Sequence, residues 1–161
     1  MDVWRVALLS LTIIMEARNQ PELGQRMVAQ VVMNRGGQEG VEAVLFQPGQ
    51  FACWNGDSYV EGHLLRLAVL ECWSVGAFPD DPWCVERWVE GHVGWRRRLR
   101  IGEADEWKRV WGLVTEVYEG SWTPPEEMGA MKHYDNPLFW PRGLPAWLRG
   151  CVEVGDHVFC E

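Results

Sequence analysis

The sequence predicts a single domain of mainly α (α+β) class with a small C-terminal β-hairpin. Three observations carry that expectation. Apolar residues recur at helical spacing through residues 3–17, 27–32 and 107–118. The last eleven residues, CVEVGDHVFCE, alternate on both sides of Gly155-Asp156 as strands about a two-residue turn do. At 161 residues, 47% of them hydrophobic, the chain has the size of one domain with one core, and no repeat or linker divides it.

The elements follow in order. In residues 3–17, VWRVALLSLTIIMEA, the apolar positions Val6, Leu9, Ile13 and Ala17 are widened by Val3, Ala7 and Ile14 until the helix is apolar nearly all round, so it is expected to be central. Asn19 is expected to cap a second helix with Pro21 in its first turn and Glu22 at the positive end of its dipole. Met27, Val28, Val31 and Val32 give that helix a buried stripe, and Gly36-Gly37 end it. A short third helix from Val41 stops at Pro48-Gly49, a pair suited to a type II turn. QFACWNGDSY then reads as a loop, 59–77 as helix, 78–100 as a short helix between loops, and the stripe from Trp107 to Tyr118 as an amphipathic helix closed by Gly120. Pro124-Pro125 and NPLFWPRGLP read as irregular.

Composition excludes some classes. A net charge of −8 argues against general attraction to nucleic acid or to an anionic membrane, so no nucleic-acid partner is expected. The cluster WRRRLR at 95–100 is the basic exception, and Arg96, Arg97, Arg98 and Arg100 are a candidate contact for anionic lipid headgroups. The apolar start has Asp2 ahead of Arg5, is interrupted by Ser10 and Thr12 and ends in Met-Glu-Ala-Arg, so it reads as part of the fold and not as a secretory signal or membrane span. The expectation is a monomer made in the cytoplasm without an export signal of its own. Five Cys, at 53, 72, 84, 151 and 160, have no CxxC spacing and are expected to be buried or indifferent thiols. Eleven Trp either fill the core or stack on flat ligands, sugar rings included.

Glu16 closes the first, apolar helix. A carboxyl group there is costly to bury charged, and a carboxyl that carries its proton is what a general acid needs. The bland alternative is an outward Glu16 paired with Arg18 or Arg35. Rival constellations are weaker. His63, His92, His133 and His157 with Cys84 lack the spacing of a zinc site, and nothing local marks Cys53, with His133 as base, as an activated nucleophile. No metal or other cofactor is expected.

Three blocks tip the balance for Glu16. MEARNQPELGQRMVAQVVMNR at 15–35, VLFQPGQF at 44–51, and GAMKHYDNP at 129–137 with VGDHVFC at 154–160 together resemble the spore-cortex-lytic (SleB-type) cell wall hydrolases, a family that also occurs in phage lysis proteins. The resemblance covers roughly half the chain. Residues from about 58 to 102 have no counterpart and read as an insertion, and Met131-Lys132 depart from the family's usual hydroxyl or aromatic pair.

What the resemblance implies is a lysozyme-like domain acting on peptidoglycan glycan strands, with Glu16 as catalytic acid. Asn34, Gln50, Phe51, Tyr134 and Asn136 become candidate substrate-binding residues, and His157 is expected to tie the hairpin to the helices. Cleavage of the bond from N-acetylmuramic acid to N-acetylglucosamine by a lytic transglycosylase needs one carboxyl group, whereas a hydrolytic muramidase uses a second; Asp57 and Glu22 are the candidates for it. The single-carboxyl reading is preferred, and a phage endolysin that acts on the wall after release is the setting expected. An N-acetylmuramoyl-L-alanine amidase and a non-catalytic, Trp-rich wall-binding module are the alternatives.

Overall fold

Helix α1, Val3–Ala17, runs through the middle of the molecule, and every residue from Val6 to Ile14 is buried. The computed structural model describes residues 1–55, 62–93, 99–135 and 145–161. Asp2 caps α1 by accepting from Arg5 N (3.2 Å). Two polar residues inside this apolar rod satisfy themselves on its own backbone. Ser10 Oγ donates to Val6 O and Thr12 Oγ1 to Leu8 O, each at 2.8 Å.

Around α1 lie α2 (Glu22–Gly36), α3 (Val41–Leu45), the single turn α4 (Ala52–Asn55) and α7 (Ala104–Tyr118), all in contact with it. Helices α5 (Gly62–Ser74) and α6 (Trp83–Val93) pack on each other and reach the core through α4. Leu65, Ala68, Val69, Val85 and Val89 are fully buried in the same cluster as α1, so the described part of the presumed insertion shares the one core. Arg66 stitches the two layers: its guanidinium lies 4.5 Å above the Phe46 ring and donates to Trp54 O at 3.1 Å. A 3₁₀ turn, Glu126–Met128, leads to an antiparallel sheet of β1 (His133–Asp135), β2 (Val152–Val154) and β3 (His157–Cys160) in the order β1-β3-β2.

The mainly α class, the order of helices and the hairpin about Gly155-Asp156 agree with expectation. Val154 pairs with His157 and Val152 with Phe159. Gly37 ends α2 at φ +60°, and Gly49 takes φ +75°, the left-handed value that the second central residue of a type II turn requires.

Four expectations are corrected. The N-cap of α2 is Pro21, without a side-chain bond, and not Asn19, because Asn19 belongs to the tight turn in which Gln20 N donates to Ala17 O (3.0 Å). Residues 52–55 form helix α4 where a loop is expected, since Trp54 is buried with Nε1 donating to Thr12 Oγ1 (2.8 Å), which fixes the turn. Strand β1 was not foreseen. Its three residues are too few for a period, and β3 recruits them as the partners of His157's strand, Tyr134 facing Phe159. Lastly, four of the five cysteines are paired. Cys72 on α5 is bonded to Cys84 on α6, and Cys151 to Cys160 across the hairpin, leaving Cys53 free and buried.

Thr12 is both a helix residue and the acceptor for a buried indole. Thr12→Val strands the Trp54 N–H, and we expect a loss of about 1–3 kcal/mol in urea unfolding. In a Trp54→Phe background, where no N–H is left to strand, the same change is expected to cost less than half as much.

Candidate functional site

The site begins where α1 ends. A helix leaves its last carbonyls without intrahelical partners, and here one buried side chain collects them. Gln25 Nε2 donates to Ala17 O (3.1 Å), Arg18 O (3.0 Å) and Gln20 O (3.2 Å), while its Oε1 accepts from Arg109 of α7 (2.8 Å). Gly24, the residue before it, is needed for close approach, because a Cβ there would lie 3.3 Å from Gln20 Cβ and 3.5 Å from Val154 Cγ1. The hairpin turn docks on the same corner, with Asp156 N donating to Gln20 Oε1 (2.8 Å).

Glu16 sits on this clamped end, half-buried. Its Oε1 accepts from Cys53 N at the start of α4 (2.8 Å). Neither expected arginine takes it. Arg18 pairs with Glu106 (3.3 Å) and donates to Arg100 O, and Arg35 donates to Gln47 (2.7 Å) and Gln50. Among the described residues no cation is paired with Glu16. Its neighbours are proton carriers instead. Burial, and next the charge of Glu16, push the Cys53 thiol up. The same two causes, with burial again the larger, push the Tyr134 phenol well above its ordinary value. A thiol so placed holds its proton, the reverse of an activated nucleophile.

Tyr134, whose phenol feels the charge of Glu16, lines a pocket of about 250 Å³, and Glu16 itself is not among its described lining residues. Gly49, Gln50, His133, Tyr134, Asp135, Trp147, Leu148, Val158 and Cys160 line it. Phe51 lies behind this wall, fully buried, with its ring 5.7 Å from that of Tyr134. Gln50 is on the rim, and its Oε1 accepts from Arg35.

The other expected residues are distributed as follows. Asn34 is engaged inside the protein: Nδ2 donates to Gly129 O (2.9 Å) and Met131 O (2.7 Å), and Oδ1 accepts from Gln30 (2.7 Å). It thereby braces the segment that feeds β1. Glu22 is exposed, pairs with Arg26 (2.9 Å) and is not a described lining residue of the pocket. Asp57, Asn136, Arg96, Arg97 and Arg98 lie outside the described residues, and Arg100 is exposed. Cys84, a member of the zinc constellation judged too weakly spaced, is bonded to Cys72. His157, expected to tie the hairpin to the helices, is buried with its ring 5.3 Å from that of Tyr134 on β1, a contact within the sheet.

Sequence reasoning missed three site features. Trp147 and Asp135 line the pocket from stretches without a period, and the Cys53 amide that holds Glu16 carries no side-chain signal at all. The role of Gln25 was within reach, since its Gly-Gln pair stands in the first matching block.

Residues 19–71 match the family described as Cell Wall Hydrolase. The match covers about a third of the chain, takes in Gln25, Asn34, Gln50, Phe51 and Cys53, and supports a wall-degrading enzyme. It begins three residues after Glu16, stops within α5, past the start of the presumed insertion at 58, and does not extend to the sheet. No curated protein and no solved structure matches the chain.

Burial lowers the pKa of His157 below its ordinary value, against the opposing charges of Asp156 and Asp135. The unfolded chain therefore binds this proton more readily than the folded one, and stability falls as pH drops from about 7 through the unfolded value near 6.5. We expect the melting temperature of the wild type to drop further between pH 7 and pH 5 than that of His157→Gln, as followed by circular dichroism.

Proposed function

We propose that this chain cleaves the glycan strands of peptidoglycan between N-acetylmuramic acid and N-acetylglucosamine, with Glu16 as general acid and then base in a lytic transglycosylase reaction. One observation carries the reading. A carboxyl group ends the buried helix, takes a hydrogen bond from Cys53 N (2.8 Å), has no paired cation among the described residues, and lies beside a tyrosine that lines a pocket. The partial match to cell wall hydrolases supports the substrate class.

The steps balance with a single acid. Protonated Glu16 gives its proton to the glycosidic oxygen as the bond to C1 of the muramic ring breaks and oxocarbenium character develops there. The C6 hydroxyl of the same ring attacks C1, and its proton returns to Glu16. The product is a 1,6-anhydro end. A tethered hydroxyl avoids most of the entropic cost of bringing in water. Tyr134, which keeps its phenolic proton, is a hydrogen-bond donor at this point.

A second reading has one observation in its favour. Asp135 lines the pocket on the same strand as Tyr134, and its charge is felt by the Tyr134 phenol alongside that of Glu16. In a hydrolytic muramidase it would replace Asp57 or Glu22 as the second carboxylate, activating water. The cellular setting is part of the proposal. The two disulfides suit action in an oxidising compartment, beyond the reducing cytoplasm, as for a lysis enzyme acting on the wall after release.

Glu16→Gln is expected to lower the rate of turbidity loss on purified peptidoglycan by roughly 10²–10⁴-fold while leaving the fold unchanged. Mass spectrometry of the wild-type digest is expected to give anhydro-muramic ends, and Asp135→Asn to keep producing them within about tenfold of the wild-type rate. Reducing ends that vanish in Asp135→Asn would establish hydrolysis in place of transglycosylation, and freed stem peptides would establish an amidase.

A further inference from the structure

Among the described residues Trp147 is the most exposed tryptophan. It is 63% exposed, although it lines the pocket together with Gln50 and the three residues of β1. An indole left in water costs apolar burial unless something covers it. Its edge is not free to swing, since the His133 ring meets it at 5.4 Å in a T-shaped contact. Leu148, Val158 and Cys160 extend the apolar side of the pocket, and the Cys151–Cys160 bond ties the segment that follows Trp147 to strand β3.

The polar side has a definite chemistry. Gln50 has its carbonyl oxygen taken by Arg35, so its NH2 group is left to donate. Tyr134 retains its proton, held by burial and by the charge of Glu16. His133 is pushed toward its neutral form by burial and by the charges of Arg35 and Lys132. Asp135 adds an acceptor. Among the described lining residues Asp135 is the one carboxylate, and the guanidinium of Arg35 on Gln50 opposes it, so neither a free anion nor a free cation meets an unopposed charge. What fits is a neutral ring with one apolar face, hydroxyls and an amide. A volume of about 250 Å³ lies just under the roughly 300–1,000 Å³ of small-molecule pockets and matches one such ring better than a peptide.

We infer that Trp147 is the stacking platform of a sugar subsite that takes one N-acetylated hexosamine of the glycan, with Gln50 donating to its acetamido oxygen and Asp135 accepting from a hydroxyl. This rests on the reading of the site as a glycan cleaver, because Tyr134 is the shared wall between the pocket and Glu16. The subsite binds a ring next to the bond that Glu16 protonates, and Trp147 acts in binding and not in chemistry.

The probe is the β-1,4-linked tetramer of N-acetylglucosamine, titrated calorimetrically into Glu16→Gln and into Glu16→Gln/Trp147→Ala. Loss of one stacking face is expected to weaken binding roughly tenfold, with Trp147→Phe restoring most of it. With Glu16 intact, Trp147→Ala is expected to raise KM on solubilised glycan strands by a similar factor and to change kcat little. Because the side chain is largely exposed, the melting temperature of Trp147→Ala is expected to stay within a few degrees of the wild type. Equal tetramer affinity with and without the indole overturns the subsite and leaves the Glu16 reading standing, as does failure of Glu16→Gln to bind the tetramer at millimolar concentration. Full wall cleavage by Glu16→Gln, with tetramer affinity still dependent on Trp147, overturns the catalytic reading and leaves the subsite.

Discussion

The position of Glu16 depends on one amide side chain. Gln25 gathers three carbonyls at the end of α1 and is itself held by Arg109, so α1, the turn after it, α2 and α7 meet on a single buried residue. A helix end normally frays, because its carbonyls must find water or a cap. Here water is kept away, since Gln25 and Ala17 are 1% exposed. Each bond alone is modest, yet removing the amide would strand several polar groups in the core at once, and that asymmetry makes the corner rigid. In the proposed reaction this rigidity would keep the Glu16 carboxyl from sampling orientations that cannot reach a glycosidic oxygen.

Helix α2 governs the other wall as well. Gln25 lies near its start and grips α1; Asn34 lies near its end and grips Gly129 and Met131, the residues just ahead of β1. The separation between Glu16 on α1 and Tyr134 on β1 is therefore set along one helix of 15 residues. That explains why a Gly-Gln pair and an Asn-Arg pair belong to the same block of the sequence. Arg35, next to Asn34, reaches Gln47 and Gln50 and places the turn on which the pocket rim is built. A single rigid element thus spaces Glu16, Tyr134 and the pocket rim, and the hairpin closes the arrangement from outside by resting on Gln20.

What could be read from the chain follows from how local its cause is. The helices were legible because period and apolar stripe are local properties, and the β2–β3 hairpin because a two-residue turn fixes its own register. That register even places Cys151 opposite Cys160, so their bond was available to a reading that followed the ladder to its end. Cys72 and Cys84 were not, since they meet only through the packing of α5 on α6. Strand β1 exists because β3 offers it an edge, which no property of His133–Asp135 announces. Within the site the same division holds. Glu16 was visible as a charge at the end of an apolar run, but its partner is a backbone N–H, which every residue except proline carries, and its freedom from Arg18 follows from Glu106, 88 positions further along. Asn34 was visible as a polar residue on a buried helix, and its partners are carbonyls almost a hundred residues away.

The absence of a paired arginine among the described neighbours of Glu16 has a chemical meaning. A guanidinium fork would hold a carboxylate in its charged form and occupy both of its oxygens. One backbone N–H orients a carboxylate without bringing a net charge. The remaining neighbours, a thiol and a phenol, are both held in their neutral, proton-bearing forms by burial and by Glu16 itself. Besides burial, Glu16, Cys53 and Asp135 push the Tyr134 phenol up while Arg35 opposes them, so charges carried by α1, α2 and β1 meet on one neutral hydroxyl, and the spacing that α2 imposes on these elements sets the electrostatics of the centre as well as its geometry.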